Sequence, residues 1–190
     1  MRTIIPTDAR LIPKHAKKVF TGQIYDVYQW EQELYNGTTA TFEMLGRPDT
    51  IIVLPIKDGK IVIVDEEQPT MKRAYGLPGG RHDNPTETEL EAAQREVLEE
   101  TGMRFKTWKL IRAFQPHSKI EQFIYLFVAS DFIDQRAQNL DAGEKIEVLE
   151  VTLERAREIA ATGESRDLPG YLLEEAKSVQ DLIDLPEYQP

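Results

Sequence analysis

Two short Asx-Gly pairs, each flanked by strand-forming runs, constrain most strongly what this chain can fold into. Asn36-Gly37 separates an aromatic and β-branched run over residues 19–35 from a second run over 38–45. Asp58-Gly59 separates two nearly continuous apolar runs, residues 51–56 and 60–64. Such pairs favour tight hairpin turns because Asn, Asp and Gly tolerate the left-handed backbone that these turns need. We therefore predict two antiparallel hairpins, the second buried on both faces.

Between the hairpins and the later strands, residues 87–101 show the pattern of an amphipathic helix. Thr86 is a candidate N-cap with Glu89 three residues later, which is the spacing of a capping box. Gly102 stands where a helix C-cap glycine belongs. Three apolar residues share one stripe of this helix, which we expect to be its buried face: Leu90, Ala93 and Val97.

The remaining pattern alternates strands and helices. Strands are predicted over residues 105–113, 122–130 and 146–151, and helices over 153–162 and about 168–185, with Gly163 between them and Pro186 after them. Residues 1 to about 17 are expected to be irregular because Pro6 and Pro13 interrupt them. This order predicts an α/β fold in which helices pack on a mixed β-sheet.

Glutamates cluster on one side of the predicted central helix: Glu89, Glu96, Glu99 and Glu100. Like charges three or four residues apart destabilise a helix, and anions near its C-terminus oppose the helix dipole. Divalent cations would reverse this cost, and carboxylate oxygens on a rigid helix suit Mg²⁺ or Mn²⁺. The alternative is a solvated acidic face. Gly79 and Gly80 just before this helix favour the metal, since they permit close approach of the backbone.

Composition excludes several classes of function. The net charge of −10 argues against a protein that grips a nucleic-acid backbone. No apolar run approaches the roughly 18 residues that span a bilayer, and the N-terminus has no secretory pattern. The chain contains no cysteine, which excludes disulfides, thiolate metal sites and a cysteine nucleophile. We expect a cytoplasmic protein, and one that would need metal ions to handle phosphates.

The loop and the helix together resemble a known signature, the Nudix box of Nudix hydrolases. The matching residues are Gly80, Glu87 and the run from Arg95 to Met103, Arg-Glu-Val-Leu-Glu-Glu-Thr-Gly-Met. The segment between Gly80 and Glu87 is one residue longer than in the family pattern. Over residues 18–185 the chain is similar to the ADP-ribose pyrophosphatase and nucleotide-sugar diphosphatase branch, although Gln68-Pro69-Thr70 lacks an arginine common there.

The resemblance implies an α/β/α sandwich with a mixed β-sheet, preceded by an N-terminal β-hairpin. It implies that residues 1–47 form an N-terminal segment and hairpin that makes a homodimer, and that residues 48–190 form the Nudix hydrolase domain. The implied reaction is metal-dependent hydrolysis of the diphosphate bond in a small molecule, ADP-ribose or a nucleotide sugar, to a nucleoside monophosphate and a sugar phosphate.

The resemblance also implies roles for individual residues. Those implied to hold Mg²⁺ or Mn²⁺ are Gly80, through its carbonyl, and Glu96, Glu99 and Glu100. Arg95 and Glu87 are implied to orient these glutamates. The general base is implied to be Glu144 on the loop before the last strand, with Asp141 or Glu96 as alternatives. Candidates for substrate binding are Tyr28 and Trp30, through aromatic stacking, and Arg47, Arg73 and Arg81, through phosphate contacts.

Two other functions are compatible with the resemblance. A Nudix-fold ligand sensor would bind without turnover, but such a protein has no need to keep the repelling glutamates. A nucleoside triphosphate pyrophosphohydrolase is disfavoured by the long N-terminal hairpin.

Overall fold

The computed structural model describes residues 2–163 and 165–190 as eleven strands and four helices. The strands are β1 (Lys17–Thr21), β2 (Asp26–Glu33), β3 (Thr39–Gly46), β4 (Asp49–Lys57), β5 (Lys60–Gln68), β6 (Met71–Gly76), β7 (Arg81–His82), β8 (Met103–Phe114), β9 (Ile120–Glu121), β10 (Ile124–Gln135) and β11 (Lys145–Val151). The helices are α1 (Glu89–Thr101), α2 (Leu153–Ala161), α3 (Gly170–Glu175) and α4 (Val179–Ile183). No helix of the described residues is long and apolar enough to cross a membrane.

The strands form two sheets. The larger has the order β11-β5-β4-β10-β8, with β6 paired to β5 and β7 to β4, and the smaller has the order β1-β2-β3-β9. Strands β10 and β4 run parallel, whereas β10 and β8 run antiparallel, so the large sheet is mixed as predicted. The hairpins at Asn36-Gly37 and Asp58-Gly59 are also confirmed, as the antiparallel pairs β2–β3 and β4–β5.

The large sheet is covered by helices on both faces, which makes the α/β/α sandwich. Alternate residues of β4 face opposite sides because successive strand side chains alternate. Ile51 and Val53 pack in one core with the buried side of α1. Ile52 and Leu54 pack in a second core with residues of α2, α3 and α4. All four are at most 9% exposed, which confirms that this strand is buried on both faces.

Helix α1 begins later than the sequence pattern suggested. Its N-cap is Thr88, whose hydroxyl accepts a hydrogen bond from the Glu91 amide in a capping box. The sequence placed the N-cap at Thr86 and its capping-box partner at Glu89, and both positions are therefore wrong by two residues. The predicted cap at Gly102 is confirmed, with φ of 70°. Leu90 is 40% exposed, so its assignment to the buried stripe is also wrong.

Residues 2–12 form an irregular N-terminal strap that crosses the molecule. The Arg2 guanidinium donates to both carboxylate oxygens of Asp49, at 2.7 and 2.9 Å, and to Glu121 at 2.8 Å. The Thr3 and Ile4 amides donate to Glu89 Oε1 at 2.6 and 3.0 Å. Glu89 is therefore only 2% exposed and does not belong to a solvated helix face. The strap joins the first turn of α1 to strand β4 and to the short strand β9.

Two predicted elements are each divided in the structure. The strand-forming run 19–35 contains a turn at residues 22–25, so it forms β1 and β2 rather than one strand. The predicted helix over 168–185 is two short helices, because the Ala176 backbone is extended at ψ of 132° and Ser178 caps a new helix. Arg157 on α2 donates to the Leu173 carbonyl, which holds the end of α3 against α2.

Candidate active site

An open cleft of about 720 Å³ lies beside helix α1. It collects most of the residues that the sequence predicted for the site: Arg47, Gly80, Arg81, Arg95, Glu96, Glu99, Glu100 and Glu144. These come from segments that are distant in sequence, so the fold brings them to one place. The cleft is predominantly acidic, as the charge of the predicted helix face suggested.

The Gly79-Gly80 lead-in allows the backbone to pass very close to the glutamates of α1. The Gly79 amide donates to Glu100 Oε2 at 2.9 Å. Gly79 has φ of 157°, and a Cβ there would lie 2.2 Å from the Ile51 carbonyl oxygen. A Cβ on Gly80 would lie 2.5 Å from Glu96 Oε2. Gly79 is therefore needed for the loop to pass against strand β4, and Gly80 for Glu96 to occupy its position. The Gly80 carbonyl accepts a hydrogen bond from the Ile51 amide at 2.9 Å.

Arg95 ties the helix glutamates together. Its Nε and Nη2 donate to the two oxygens of Glu87 at 2.9 and 3.2 Å. Its Nη1 donates to both Glu96 Oε1 and Glu99 Oε2, at 2.8 and 3.0 Å. These bonds, that to Glu87 above all, hold the pKa of Arg95 well above its usual range. Glu87 itself lies outside the cleft lining, and its carboxylate pairs with Arg95, which lines the cleft.

Burial makes two of these glutamates poor anions. It raises the pKa of Glu96 to about 7, although the nearby charge of Arg95 opposes the rise. It raises the pKa of Glu100 to about 9, against the stabilising Gly79 amide. The neighbouring carboxylate of Glu144 adds to both shifts by repulsion. A cation bound beside these carboxylates would offset their mutual repulsion and stabilise their charged forms.

The glutamate carboxylates of the cleft fit Mg²⁺ and Mn²⁺, the metals that the sequence predicted, because these ions prefer carboxylate oxygens as ligands. In the part of the chain that the structure describes, however, no three carboxylate, His or Cys side chains converge closely enough to hold an ion as they lie. Each of these glutamates has one oxygen in a hydrogen bond: Arg95 donates to Glu96 and Glu99, and the Gly79 amide donates to Glu100. The metal site therefore stays a prediction.

The loop between β10 and β11 brings Glu144 to the cleft. It is fastened to the C-terminal turn of α1, where helix carbonyls lack partners within the helix. The Arg136 amide donates to the Gly102 carbonyl at 2.8 Å, and the Asn139 amide to the Glu99 carbonyl at 2.9 Å. Further along, the Glu144 side chain accepts a hydrogen bond from the Asp141 amide at 3.1 Å, and both residues line the cleft.

Arg47 directly follows strand β3 of the smaller sheet, β1-β2-β3-β9, which we call the N-terminal sheet, and it lines the cleft. Its guanidinium carbon lies 5.4 Å from the centre of the Tyr25 ring, and Nη1 donates to the Tyr25 hydroxyl at 3.3 Å. Its Nε is buried and has no hydrogen-bond partner among the described residues. Arg81 also lines the cleft but is largely exposed, with its nearest acidic partner, Asp83, at 3.8 Å.

Three predicted substrate-binding residues lie outside the cleft lining of the single chain. Tyr28 and Trp30 are half-buried on β2; Lys18 lies over the Tyr28 ring, and Trp30 packs against Phe42 with ring centres 6.1 Å apart. Arg73 donates to Asp65 and Glu147 at 2.8 and 2.9 Å. Their roles in substrate binding stay predictions.

Sequence reasoning missed other residues of the cleft. Gln68, Arg166 and Asp167 line it, and Ile24 contributes an exposed apolar side chain. Arg166 and Asp167 belong to the connection between α2 and α3, a segment that lies far in sequence from the glutamate motif. No local pattern marks such residues, because only tertiary packing places them beside the cleft.

A family model for the NUDIX domain matches residues 46–172, which is the part of the chain that carries the large sheet and the glutamate helix. The protein is thus of the Nudix hydrolase class, as the glutamate motif suggested. The chain belongs to the Nudix family.

Two curated relatives and one solved structure are similar to the chain. An ADP-ribose pyrophosphatase of Bacillus subtilis (strain 168) is 31% identical over 155 residues, covering 80% of this chain and 83% of the relative. The methanol dehydrogenase activator of Bacillus methanolicus is 27% identical over 144 residues, covering 74% and 77%. A crystal structure of an ADP compounds hydrolase has a TM-score of 0.64 at 21% identity, covering 90% and 89% of the two chains. Family membership and the pyrophosphatase relative together indicate a hydrolase that acts on pyrophosphate bonds.

Proposed function

We propose that this protein hydrolyses the diphosphate bond of a nucleoside diphosphate joined to a second moiety, with ADP-ribose as the first candidate and nucleotide sugars next. The observation that carries the proposal is the cleft in which Glu96, Glu99 and Glu100 lie beside the loop glutamate Glu144. The relative named as an ADP-ribose pyrophosphatase supports the choice of substrate.

In this proposal, Glu96, Glu99 and Glu100 hold Mg²⁺ or Mn²⁺, with the Gly80 carbonyl as a further oxygen donor. Bound there, a divalent cation offsets the charge of the diphosphate and lowers the pKa of a coordinated water. Arg95 keeps two of the carboxylates at fixed positions, and Glu87 orients Arg95. Arg47 and Arg81 supply positive charge along the cleft for the phosphate oxygens.

We propose Glu144 as the general base that accepts the proton of the attacking water. It lies close enough to Glu96 and Glu100 to raise the pKa of both, so its carboxylate faces the same space. It also belongs to a loop, and loops can bring a proton acceptor to a substrate after binding. Asp141 and Glu96 remain the alternative bases.

The proposed function is tested by a substrate screen. The purified chain is incubated with ADP-ribose, nucleotide sugars, dinucleoside polyphosphates and nucleoside triphosphates, with Mg²⁺, with Mn²⁺ or with EDTA. We expect AMP and ribose 5-phosphate from ADP-ribose, and no turnover in EDTA. Undiminished turnover in EDTA, or preferential cleavage of triphosphates, would contradict the proposal.

The choice of base is tested by a pair of variants. If Glu144 is the base, Glu144→Gln lowers kcat by about 10²-fold or more, while KM and the Mg²⁺ concentration for half-maximal rate stay nearly constant. If Glu96 combines both roles, Glu96→Gln changes kcat and the Mg²⁺ requirement together, and Glu144→Gln is mild. Steady-state kinetics with Mg²⁺ titration of both variants separates the two possibilities.

We also propose that the chain is a homodimer through its N-terminal sheet. Val19 and Phe20 on β1 are 51% and 60% exposed, and Ile24 in the following turn is 47% exposed. Strand β1 pairs only with β2 among the described strands, so its outer edge is open to a partner. The cytoplasmic location predicted from the sequence stays a prediction.

A further inference from the structure

One part of the cleft has no role in the proposed reaction. We call it the polar wall, and it consists of Gln68, Arg166 and Asp167. Gln68 ends strand β5, whereas the other two belong to the connection between α2 and α3. All three line the same cleft as Glu96 and Glu100.

Arg166 is held rigidly at this wall. Its backbone amide donates to the Tyr75 carbonyl at 2.8 Å, and the preceding residue, Ser165, forms a parallel bridge with Tyr75. Its guanidinium Nη2 makes an ion pair with Glu66, which is only 6% exposed. Gln68 Nε2 donates to the other oxygen of Glu66 at 2.5 Å. A side chain fixed in this way loses little conformational entropy when it binds a ligand.

The polar wall also has unused hydrogen-bonding capacity. A guanidinium has five N–H donors, yet only Nη2 of Arg166 meets a carboxylate. The one contact of Nη1 is the Met71 sulfur at 3.8 Å, a weak acceptor, and Nε has no partner among the described residues. Asp167 lines the cleft close to Arg166, and its carboxylate accepts no hydrogen bond from the part of the chain that the structure describes. The wall therefore offers both donors and acceptors to the cleft.

The charge at the wall indicates what kind of group fits. The single guanidinium of Arg166 lies with two carboxylates, those of Glu66 and Asp167, so a phosphate would meet net negative charge. Hydroxyl groups are neutral and both donate and accept, which matches the wall. A sugar carries several such groups close together.

We infer that the polar wall binds the hydroxyl-rich moiety that the diphosphate joins to the nucleoside, and that Arg166 selects substrates that carry a sugar there. The inference rests on the proposed function, because it assigns one end of the proposed substrate. Arg166 is then a specificity-determining residue that touches the sugar and takes no part in bond cleavage.

The experiment compares two ligands that differ in the sugar. ADP-ribose carries the ribose, whereas the methyl ester of ADP at its β-phosphate has the same diphosphate linkage and no second sugar. KM and kcat are measured for ADP-ribose, and the competitive inhibition constant for methyl-ADP. In Arg166→Gln we expect KM for ADP-ribose to rise about tenfold, the scale of losing hydrogen bonds to a charged group. We expect kcat and the inhibition constant of methyl-ADP to change by less than about twofold.

Two further variants distinguish recognition of the sugar from structural support of the loop between α2 and α3. Arg166→Lys keeps a cation for Glu66 but loses the spare guanidinium donors, so we expect the melting temperature to recover while KM for ADP-ribose stays high. Arg155→Gln is the matched control, because Arg155 is an exposed arginine on α2 that pairs with Glu158 away from the cleft. It should leave both ligands unaffected.

The outcomes are distinct. If Arg166→Gln weakens ADP-ribose and methyl-ADP equally, or changes neither, the inference is wrong and the proposed function stands. Full recovery of KM in Arg166→Lys would also overturn it. If the unaltered chain does not hydrolyse ADP-ribose or any nucleotide sugar, the proposed function fails, and the inference fails with it.

Discussion

At the scale of single residues, the cleft keeps carboxylates where they are costly for the folded chain. Glu100 is 5% exposed, and burial raises its pKa to about 9. A group with a raised acid pKa destabilises the fold at any pH above its ordinary value, since the folded state resists its ionisation. Such a cost is typical of residues kept for function rather than for stability.

The first prediction concerns Glu99 and Glu100. Changing either to Gln keeps the shape and removes a predicted metal ligand, so kcat should fall by about 10²-fold or more. The melting temperature of Glu100→Gln in EDTA should stay equal or rise, because the variant no longer buries an acid. Kinetics and thermal melts measure both effects, with the exposed Glu158→Gln on α2 as control. Near-normal kcat in both variants would show that neither glutamate takes part in the reaction.

The second prediction concerns Gly80. In Gly80→Ala the new Cβ would lie 2.5 Å from Glu96 Oε2, and the neighbour that must move is the end of a side chain. The fold should therefore survive, with a melting temperature close to that of the unaltered chain, while Glu96 is displaced and the Mg²⁺ concentration for half-maximal rate rises. In the control Gly170→Ala, the new Cβ meets the Ala160 Cβ at an ordinary 3.8 Å. An unchanged Mg²⁺ requirement in Gly80→Ala would contradict this account of the glycine.

At the scale of elements, helix α1 is fastened at both ends by segments that are remote in sequence. The N-terminal strap donates to Glu89 in its first turn. The loop after β10 donates to the carbonyls of Glu99 and Gly102 at its last turn. The glutamates between these points therefore lie on a helix with little freedom to shift, which suits a site whose donors must keep fixed spacing.

The third prediction is a pH-dependent contribution of Glu89 to stability. Burial alone would raise its pKa, but hydrogen bonds from Thr3 and Ile4 outweigh burial and lower it below the ordinary 4.5. A lowered pKa stabilises the fold above pH 4.5, and this contribution is lost as the pH falls through the folded-state value. Glu89→Gln should lower the free energy of unfolding at pH 7 by about 1–3 kcal/mol, the range for a buried polar group that loses its partner.

Urea titrations at several pH values measure this effect. The difference between the unaltered chain and Glu89→Gln should shrink as the pH falls below 4.5, whereas the exposed Glu187→Gln should behave like the unaltered chain throughout. A difference that is the same at pH 7 and pH 3.5 would show that the carboxylate charge is not what the strap recognises.

Helices, strands and turns were predictable from the sequence where neighbouring residues alone determine their conformation. The Asn36-Gly37 and Asp58-Gly59 turns carry their own backbone preference, and the glutamates of α1 follow from helical spacing. The burial of Glu89 was not predictable, because it depends on a strap with no periodic pattern. The same holds for Arg166, which is held beside the cleft by contacts with residues far away in sequence, its ion pair with Glu66 and the hydrogen bond from its amide to the Tyr75 carbonyl.

At the scale of the whole molecule, the fourth prediction is the homodimer. The full chain should have a mass of about twice 21.8 kDa by light scattering. Replacing Val19 and Phe20 together by Thr keeps strand propensity and removes exposed apolar area, so it should shift the mass toward one chain. Ile133→Thr, at an exposed position of β10, is the matched control. A single-chain mass for the full protein at tens of micromolar would contradict the prediction.

The N-terminal strap also has a consequence for the order in which the chain folds as it is made. Arg2 pairs with Glu121, 119 residues further along, and the Ile4 carbonyl accepts from Tyr125. At roughly 5–20 residues per second, synthesis reaches these partners roughly 6–24 s after the strap is made. The strap is thus synthesised well before the partners that hold it and is among the last segments to find its place. Until then helix α1, although already synthesised, lacks the contacts that hold its first turn.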